Sequence, residues 1–347
     1  MACPVRTSSD TVVRPGTVRD IPHPLGHAPR ATVLVRAEPC MSARCAQVST
    51  YTPVRNPSTP DVNQPLEVAV ASRTLAVWEH RKVVGLLVRR DLKVKYQQSV
   101  LGYAWTMLEP MAMTLVYFFV FGVILDANRG MPQSAMDSGG FLLFLVAGIL
   151  PWTTFGAILG EAPRAMITHS KLITTMKVPR EIFPLATVGT KFVEYLLTWP
   201  VLLVFVFALG GRPSVEGLLL WLPLAIVLTF MFGLGVTLFL SSVNVLLRDV
   251  ERLTRIVTRL LFYGSAILFP ASMVLDSDEV PGWAAMLFQL NPLMGIFQMH
   301  RTVWFAGFGE LTPTTLALSA SVVGSVLMLI IGYWTFRRLE MSVLKEL

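Results

Sequence analysis

Residues 101–125 read LGYAWTMLEPMAMTLVYFFVFGVIL and carry one charged side chain, Glu109. A helix of about 20 apolar residues crosses the ~30 Å hydrocarbon core of a bilayer. Similar apolar runs follow at 141–160, 183–209, 218–241, 256–275 and 316–336. The pattern predicts an all-α membrane protein whose six transmembrane helices form one domain, residues 101–347.

The composition agrees with a membrane protein. Hydrophobic residues make up 53% of the chain, charged residues 15%, and the mean hydropathy is +0.59, whereas a soluble domain has about 25% charged residues. We interpret the net charge of +7 as basic loops on the cytoplasmic side rather than a nucleic-acid surface. The cysteines, Cys3, Cys40 and Cys45, suggest neither a disulfide framework nor a metal site.

Two segments precede the first apolar run. Residues 1–70 are rich in Pro, Arg, Ser and Thr, with no long apolar run, so we expect a disordered cytoplasmic N-terminal tail. Residues 73–98 mix basic and apolar side chains. At 100° per residue, one arc holds Lys82, Arg89, Arg90 and Lys93, and the other holds Val83, Val84, Leu87, Val88, Leu92 and Val94. This predicts an amphipathic interfacial helix lying in the membrane surface.

One acid departs from that pattern. Asp91 falls on the apolar arc of the predicted interfacial helix. We expect Lys95, one turn further along, to neutralise it.

Basic residues indicate the orientation. Alternate loops carry Arg89, Arg90, Lys93, Lys95, Arg164, Lys171, Lys177, Arg180, Arg248, Arg252, Arg255, Arg337, Arg338 and Lys345. The opposite loops carry Arg129, Arg212 and Arg301, diluted by Asp126, Asp137, Asp276, Asp278 and Glu279. The positive-inside rule places the first set, and both chain ends, in the cytoplasm.

The connection between the fifth and sixth runs is unusual. Residues 276–313 are predicted to be external, yet 283–305 is apolar and interrupted at Asn291 and Pro292. We expect two short re-entrant external helices. Such backbone at membrane depth must be buried in protein or line a water-filled path, which favours a transport function.

Motifs for chemistry are scarce. The chain has no GxxxxGK[ST] sequence for binding ATP, and HExxH and GxSxG are also missing from it. By spacing, His80, His169 and Asp91 have no partners, which disfavours a membrane-embedded glycosyl- or acyltransferase. Lys191 and Glu194, three residues apart, are expected to pair on one helix face as a structural feature.

Two further features allow alternative interpretations. The aromatic residues of the first and fifth runs are either lipid-facing bulk and interfacial belts or a surface on which sugar rings stack. The segment EAPRAMITHSKLITTMKVPREIFP (161–184) is either a plain connecting loop or a docking element for a cytoplasmic partner.

Four stretches resemble one known family. RDLKVKYQQSVLGYAWTMLEP (90–110), leading into VYFFVFGVIL, is similar to the opening of ABC-2 type permeases, in particular the exporters of O-antigen, teichoic acid and actinobacterial cell-wall galactan. LITTMKVPREIFPL (172–185) resembles their first cytoplasmic loop, NVLLRDVERL (244–253) the loop before their fifth span, and NPLMGIFQMHRTVWF (291–305) their external gate. The long tail departs from the family, as does GSAILFP (264–270) where an SPI-like signature is usual.

The resemblance implies a transport subunit, not an enzyme. It would lie in the bacterial plasma (inner) membrane among membrane lipid, paired with a second copy of itself. Each copy would join a cytoplasmic ABC ATPase, which would hold the ATP and Mg while this chain holds no cofactor. The cargo would be a lipid-linked polysaccharide moved outward; a drug or lipid is the alternative within the same fold.

The resemblance also assigns candidate site residues. The substrate channel would be lined by Tyr103, Trp105, Tyr117, Phe118, Phe121, Phe262 and Tyr263. The cytoplasmic entrance would use Arg89, Arg90, Asp91 and Lys93. Coupling to the ATPase would use Ser170, Lys171, Leu172, Lys177 and Arg180. The external gate would use Asn291, Pro292 and Arg301.

Overall fold

A computed structural model of the chain describes residues 77–125, 140–176, 178–211, 213–305 and 312–346. Within these ranges the regular structure is entirely helical, which confirms the predicted all-α class. The predicted tail, residues 1–70, and the coupling candidate Lys177 lie outside the described residues.

The described helices range from a single turn to 32 residues. They are α1 Arg81–Tyr96, α2 Trp105–Tyr117, α3 Gly140–Glu161, α4 Ala165–Thr168, α5 Ser170–Thr175, α6 Ile182–Ala208, α7 Leu222–Leu246, α8 Val250–Gly264, α9 Ser272–Leu275, α10 Gly282–Gln289, α11 Pro292–Thr302 and α12 Thr315–Glu346. A 3₁₀ turn, Gly102–Ala104, leads into α2, and π-helical turns extend α2 over Phe118–Ile124 and precede α7 over Gly217–Trp221.

Five helical stretches in the described residues are long and apolar enough to cross a membrane. They are Gly102–Ile124, Gly140–Thr175, Ile182–Ala208, Gly217–Leu246 and Thr315–Val343, and they correspond to the predicted first, second, third, fourth and sixth spans. The prediction of a continuous fifth helix over 256–275 is wrong. Helix α8 ends at Gly264, and irregular backbone follows until α9 begins at Ser272.

Helix α3 lies at the centre of the bundle. In its most apolar stretch 78% of the residues are buried, against 17% for the stretch that contains α2. Side chains of α3 such as Phe144 and Phe155 are fully covered by α6, α7, α8 and α11. Helix α2 therefore lies at the rim, with most of its surface available to lipid or to another protein.

Helices α7 and α12 make the most extensive packing contact. They cross at Gly235 and Gly332, where a Cβ on either glycine would overlap the backbone of the other helix. Close backbone approach through small residues is the usual way for helices to associate where lipid surrounds them.

Helix α1 packs its apolar arc onto the bundle. Leu87 is buried in a cluster that includes Phe183 and Phe336, and Leu92 is also buried, whereas Arg89 is exposed. Val94 departs from the predicted arc, because 63% of it is exposed. The location of α1 in the membrane surface stays a prediction.

Helix α11 inserts into the bundle beside α10. Every residue from Leu293 to Thr302 is buried, and His300 approaches the Tyr195 hydroxyl of α6 at 3.3 Å and Thr229 of α7 at 3.2 Å. The predicted pair of short helices with a break at Asn291 is present as α10 and α11.

Candidate functional site

Aromatic rings from four helices form a continuous cluster. Phe262 of α8 lies 5.6 Å from Tyr117 of α2 and 5.4 Å from Trp152 of α3, between ring centroids. Trp152 meets Phe297 of α11 edge-on at 5.8 Å. Tilted and edge-on contacts of this kind add about 0.5–1.5 kcal/mol each beyond the area buried, so the cluster holds α2, α3, α8 and α11 together.

The predicted channel residues divide into two groups. Phe262 is buried, and Tyr117, Phe118 and Phe121 pack partly buried against the core. Tyr103, Trp105 and Tyr263 are exposed by 45%, 51% and 61%. The second group therefore has the more exposed rings, and one of them, Tyr263, packs edge-on against Phe262 of the first group at 5.2 Å between ring centroids. The channel assignment itself stays a prediction.

An apolar surface runs along α2 and α8 beside those exposed rings. It contains Leu108, Val116 and Phe119 of α2 and Leu253, Ile256 and Leu260 of α8, each at least 46% exposed. Exposed apolar surface of this extent marks contact with a membrane or another protein.

Asp91 links the predicted cytoplasmic entrance to the predicted coupling loop. Its Oδ1 accepts hydrogen bonds from the neighbouring Arg90, at 3.0 Å from Nε and 2.7 Å from Nη2, and its Oδ2 lies 3.2 Å from His169 Nε2. Burial acts to raise the pKa of Asp91, but His169 and Arg90 outweigh it and hold that pKa below its ordinary value. The expectation that Asp91 and His169 lack partners is wrong, because folding joins positions 78 residues apart.

The expectation that Lys95 neutralises Asp91 is wrong, because Lys95 joins a partly buried ionic cluster instead. Lys191 Nζ binds Glu194 Oε2 at 3.0 Å, which confirms the predicted pair, and it also binds Glu161 of α3. Glu194 Oε1 accepts from Lys95 Nζ at 2.7 Å and from the Tyr96 hydroxyl at 3.1 Å. Burial lowers the pKa of Lys95, yet the hydrogen bond to Glu194 outweighs it and the pKa is raised. The cluster ties α1, α3 and α6 together.

The predicted coupling residues occupy α5 and the turn after it. Lys171 is exposed, Ser170 is half-buried, and Leu172 packs against the cluster beneath α1. Arg180 Nη1 binds Glu340 Oε1 of α12 at 2.7 Å. Arg180 therefore fastens the loop to the last helix instead of presenting a free cation, which leaves Lys171 as the exposed cation among the described candidates.

Asn291 and Pro292 organise the start of α11. The Asn291 side chain accepts from the Leu293 backbone N–H at 3.1 Å and donates to the Gly264 carbonyl oxygen at 2.8 Å. Asparagine is a favoured N-cap, and proline is favoured just inside a helix start. The Asn291 side chain thus caps the start of α11 and also pairs the carbonyl group of Gly264, the last residue of α8.

Arg301 accounts for the interruption of the predicted fifth span. It is 1% exposed, its Nη1 donates to the Ala266 carbonyl oxygen at 2.5 Å, and its Nη2 donates to that of Ile267. Ala266 has a left-handed φ of +53°. Because the guanidinium takes over carbonyl groups that a continuing helix would pair, irregular backbone is tolerated here.

The burial of Arg301 differs from the expectation that it is one of the basic residues of the external loops. Its guanidinium lies 3.8 Å from the centroid of the Phe144 ring, and Gly148 leaves the space that it fills.

A groove between α3 and α8 was also missed. Its cavity volume is about 220 Å³, and it is lined by Gly156, Gly160, Glu251, Thr254, Arg255, Thr258 and Arg259. The signal was present in the sequence as basic residues four apart, Arg255 and Arg259, which share one face of a helix.

Metal chemistry finds no support in the described ranges, which contain no group of three or more His, Cys, Asp and Glu residues suited to a metal ion.

Comparison with known proteins identifies the family. A family described as "ABC-2 type transporter" matches residues 82–305. The O-antigen export system permease protein of Klebsiella pneumoniae is 26% identical over 74% of this chain and 91% of its own length. The corresponding protein of Myxococcus xanthus is 27% identical over 66% and 82%, and the polysialic acid transport protein of Escherichia coli is 24% identical over 77% and 97%. Because the family match covers more than half of the chain, the expected resemblance is confirmed: this chain belongs to the ABC-2 type transporter family.

Proposed function

We propose that this chain is the permease subunit of an ATP-driven exporter that moves a polysaccharide out of the cytoplasm. The observation that carries the proposal is that similar proteins matching most of the chain are named for the export of O-antigen or polysialic acid. The helices of membrane-crossing length support a transport subunit rather than an enzyme. A separate cytoplasmic ATPase subunit supplies hydrolysis and carries the ATP and Mg.

The transporting unit is a homodimer in the bacterial inner membrane, with both chain ends cytoplasmic. The exposed apolar surface of α2 and α8 supports this, because a second copy would cover it and place Tyr103, Trp105 and Tyr263 along the path between the two chains. Residues 250–275 make the fifth of six passages despite the break after Gly264, and α10 and α11 re-enter from outside as the gate.

Coupling runs through two contacts of the cytoplasmic segment 165–180, which contains α4 and α5. Closure of the ATPases pushes on this segment at Lys171. The His169–Asp91 contact transmits the movement to α1, and the Arg180–Glu340 ion pair transmits it to α12.

The cargo is a lipid-linked polysaccharide, for which cell-wall galactan, O-antigen and teichoic acid are the candidates. A drug or lipid permease would have the same fold, but the relatives' printed names favour a sugar polymer.

The test combines depletion in the native host with reconstitution. On depletion, the lipid-linked polymer should accumulate inside the cell, and the chain purified with the ATPase of its neighbouring gene should hydrolyse ATP and move that polymer into vesicles. A variant ATPase lacking its phosphate-loop lysine is the control. An absence of trapped polymer, or export that continues without ATP, would overturn the proposal.

A further inference from the structure

The groove between α3 and α8 has the shape and charge of an anion site. Arg255 and Arg259 line one wall, four residues and about 6 Å apart along the helix axis. Gly156 and Gly160 line the other wall, where a Cβ on Gly160 would meet nothing within 4 Å. The glycines thus leave the space between the walls open to a ligand.

The groove keeps an excess of positive charge. Its one acid, Glu251, already accepts from Arg255 at 3.2 Å and from Arg164. Two arginines on the wall and Arg164 against one acid leave a net charge of 3 − 1 = +2. In the part of the chain that the structure describes, Arg259 makes no hydrogen bond or ion pair, so its guanidinium is available.

Among the side chains that line the groove, the arginines supply the hydrogen-bond donors for a ligand, because the threonine hydroxyls already donate to backbone carbonyl oxygens. The Thr254 and Thr258 hydroxyls donate to the carbonyl oxygens of Val250 and Thr254, each at 2.8 Å. A guanidinium fork matches the oxygens of a phosphoryl group bidentately. Two forks about 6 Å apart along the helix suit an anion with two phosphoryl groups better than a single carboxylate.

The surroundings point to a lipid-borne anion. Ile256 and Leu260 lie next to the arginines around α8 and are 56% and 67% exposed. Both residues belong to the α2–α8 surface where a second copy would pack, so a ligand whose diphosphate occupies the groove would place its hydrocarbon chain along the seam between the two copies. Free pyrophosphate would make no use of that surface.

We infer that this groove binds the diphosphate headgroup of a polyprenyl-linked glycan, with Arg255 and Arg259 holding the phosphoryl oxygens. The inference rests on the proposed function for the sugar polymer, but the binding itself is measured without transport. Arg259 is the stronger donor of the two, because Arg255 shares its guanidinium with Glu251.

The experiment measures binding of a radiolabelled polyprenyl diphosphate, without sugar, to the full chain with its ATPase in nanodiscs of zwitterionic lipid. Arg259→Gln should weaken binding about ten-fold or more, as expected for the loss of a charge-assisted hydrogen bond. Gly160→Leu should weaken it comparably by filling the groove without changing the charge.

Arg252→Gln is the matched control. Arg252 lies on the same helix, is exposed and does not line the groove, so its loss should change binding less than about three-fold. Equal losses from Arg252→Gln and Arg259→Gln would mean general surface electrostatics and would overturn the site. Unchanged binding in Gly160→Leu would also overturn the site.

Competitors identify the source of the anion. Unlabelled polyprenyl diphosphate should displace the probe, whereas inorganic pyrophosphate and phosphatidylglycerol should do so only at far higher concentration. Equal displacement by inorganic pyrophosphate would identify the ligand as a free phosphate compound. Equal displacement by phosphatidylglycerol would identify it as bulk anionic lipid. If Arg259→Gln and Gly160→Leu bind the probe as tightly as a wild-type chain that exports polymer, the site alone is refuted. A wild-type chain that exports no polymer would refute the proposed function.

Discussion

At the scale of single residues, two polar side chains hold the backbone around the end of α8. Arg301 holds two carbonyl groups beyond the end of α8, and Asn291 covers the end of the same helix. An unpaired buried carbonyl costs about 1–3 kcal/mol, so these two side chains keep the interrupted backbone in place.

Replacing Arg301 with methionine should destabilise the chain by about 3 kcal/mol, because the Ala266 and Ile267 carbonyl groups lose their donors. Thermal unfolding in detergent measures the effect. Arg338→Met is the control, since Arg338 is exposed beside Trp334 and its loss should leave the melting temperature nearly unchanged. Equal melting temperatures for the two variants would contradict the structural role of Arg301.

Tyr263 and Phe262 are neighbours with different exposure, and their alanine variants should differ accordingly. Phe262→Ala should cost about 3 kcal/mol by leaving a cavity in the aromatic cluster, and it should reduce the amount of folded protein. Tyr263→Ala should fold normally and slow export per folded molecule. Transport normalised to folded protein separates the two, and normal flux in Tyr263→Ala would assign that ring to lipid contact.

At the scale of helices, charged ties connect elements that are remote in the chain. The ionic cluster around Glu194 holds α1 against α6, and Arg180 holds the turn that follows α5 against α12. Buried ion pairs of this kind stabilise little by themselves, but the loss of one partner is costly.

Lys95→Met should lower the melting temperature at pH 8 by removing a partner of Glu194. The folded-state pKa of Lys95 is raised above its ordinary value of 10.5. Its contribution is therefore complete below pH 10.5 and is lost as the pH rises through the folded-state value. The difference between wild type and variant should shrink above pH 10.5, and a difference that persists there would exclude the ion pair as its source.

Arg180→Glu should uncouple ATP hydrolysis from export, and the double variant Arg180→Glu with Glu340→Arg should restore coupling by re-forming the pair in reverse. The ratio of polymer exported to ATP hydrolysed measures coupling. Lys171→Glu is the comparison, because Lys171 is exposed and has no acidic partner to exchange among the residues that the structure describes. Failure of the swap to rescue would mean that Arg180 acts on the ATPase directly.

At the scale of the whole molecule, the described helices differ in how much apolar surface they expose. Most of helix α3 is buried, whereas α2 and α8 expose large apolar side chains at the rim. In the proposed dimer, lipid would cover the outer aliphatic side chains, while the exposed rings and the arginines of α8 would face the second copy and the cargo.

A cysteine at Leu260 should form a disulfide between two copies in the membrane, in a chain whose native cysteines are changed to serine. Leu260 is 67% exposed on α8, and Leu219 is 76% exposed on a different helix. Leu219→Cys should therefore stay monomeric under the same oxidant on a denaturing gel. Equal cross-linking at both sites would mean random collision and would remove the support for this dimer surface.

Local sequence patterns were sufficient for much of the fold. Apolar runs of membrane-crossing length predicted the all-α class and six spans, of which five are present as long apolar helices in the described residues. They could do so because length and composition alone decide whether a helix can cross a bilayer. The Lys191–Glu194 pair and the break at Asn291 were also predicted, since both depend on residues within one turn of each other.

Contacts between distant residues were decided only by the tertiary structure. Arg301 meets Ala266 across 35 positions, His169 meets Asp91 across 78, and Lys95 meets Glu194 across 99. Periodicity cannot predict such contacts, because it describes which side of a helix a residue occupies and not which helix lies opposite. For that reason the apolar run at 256–275 predicted a continuous fifth helix, while a buried guanidinium contributed by another helix ends that helix at Gly264.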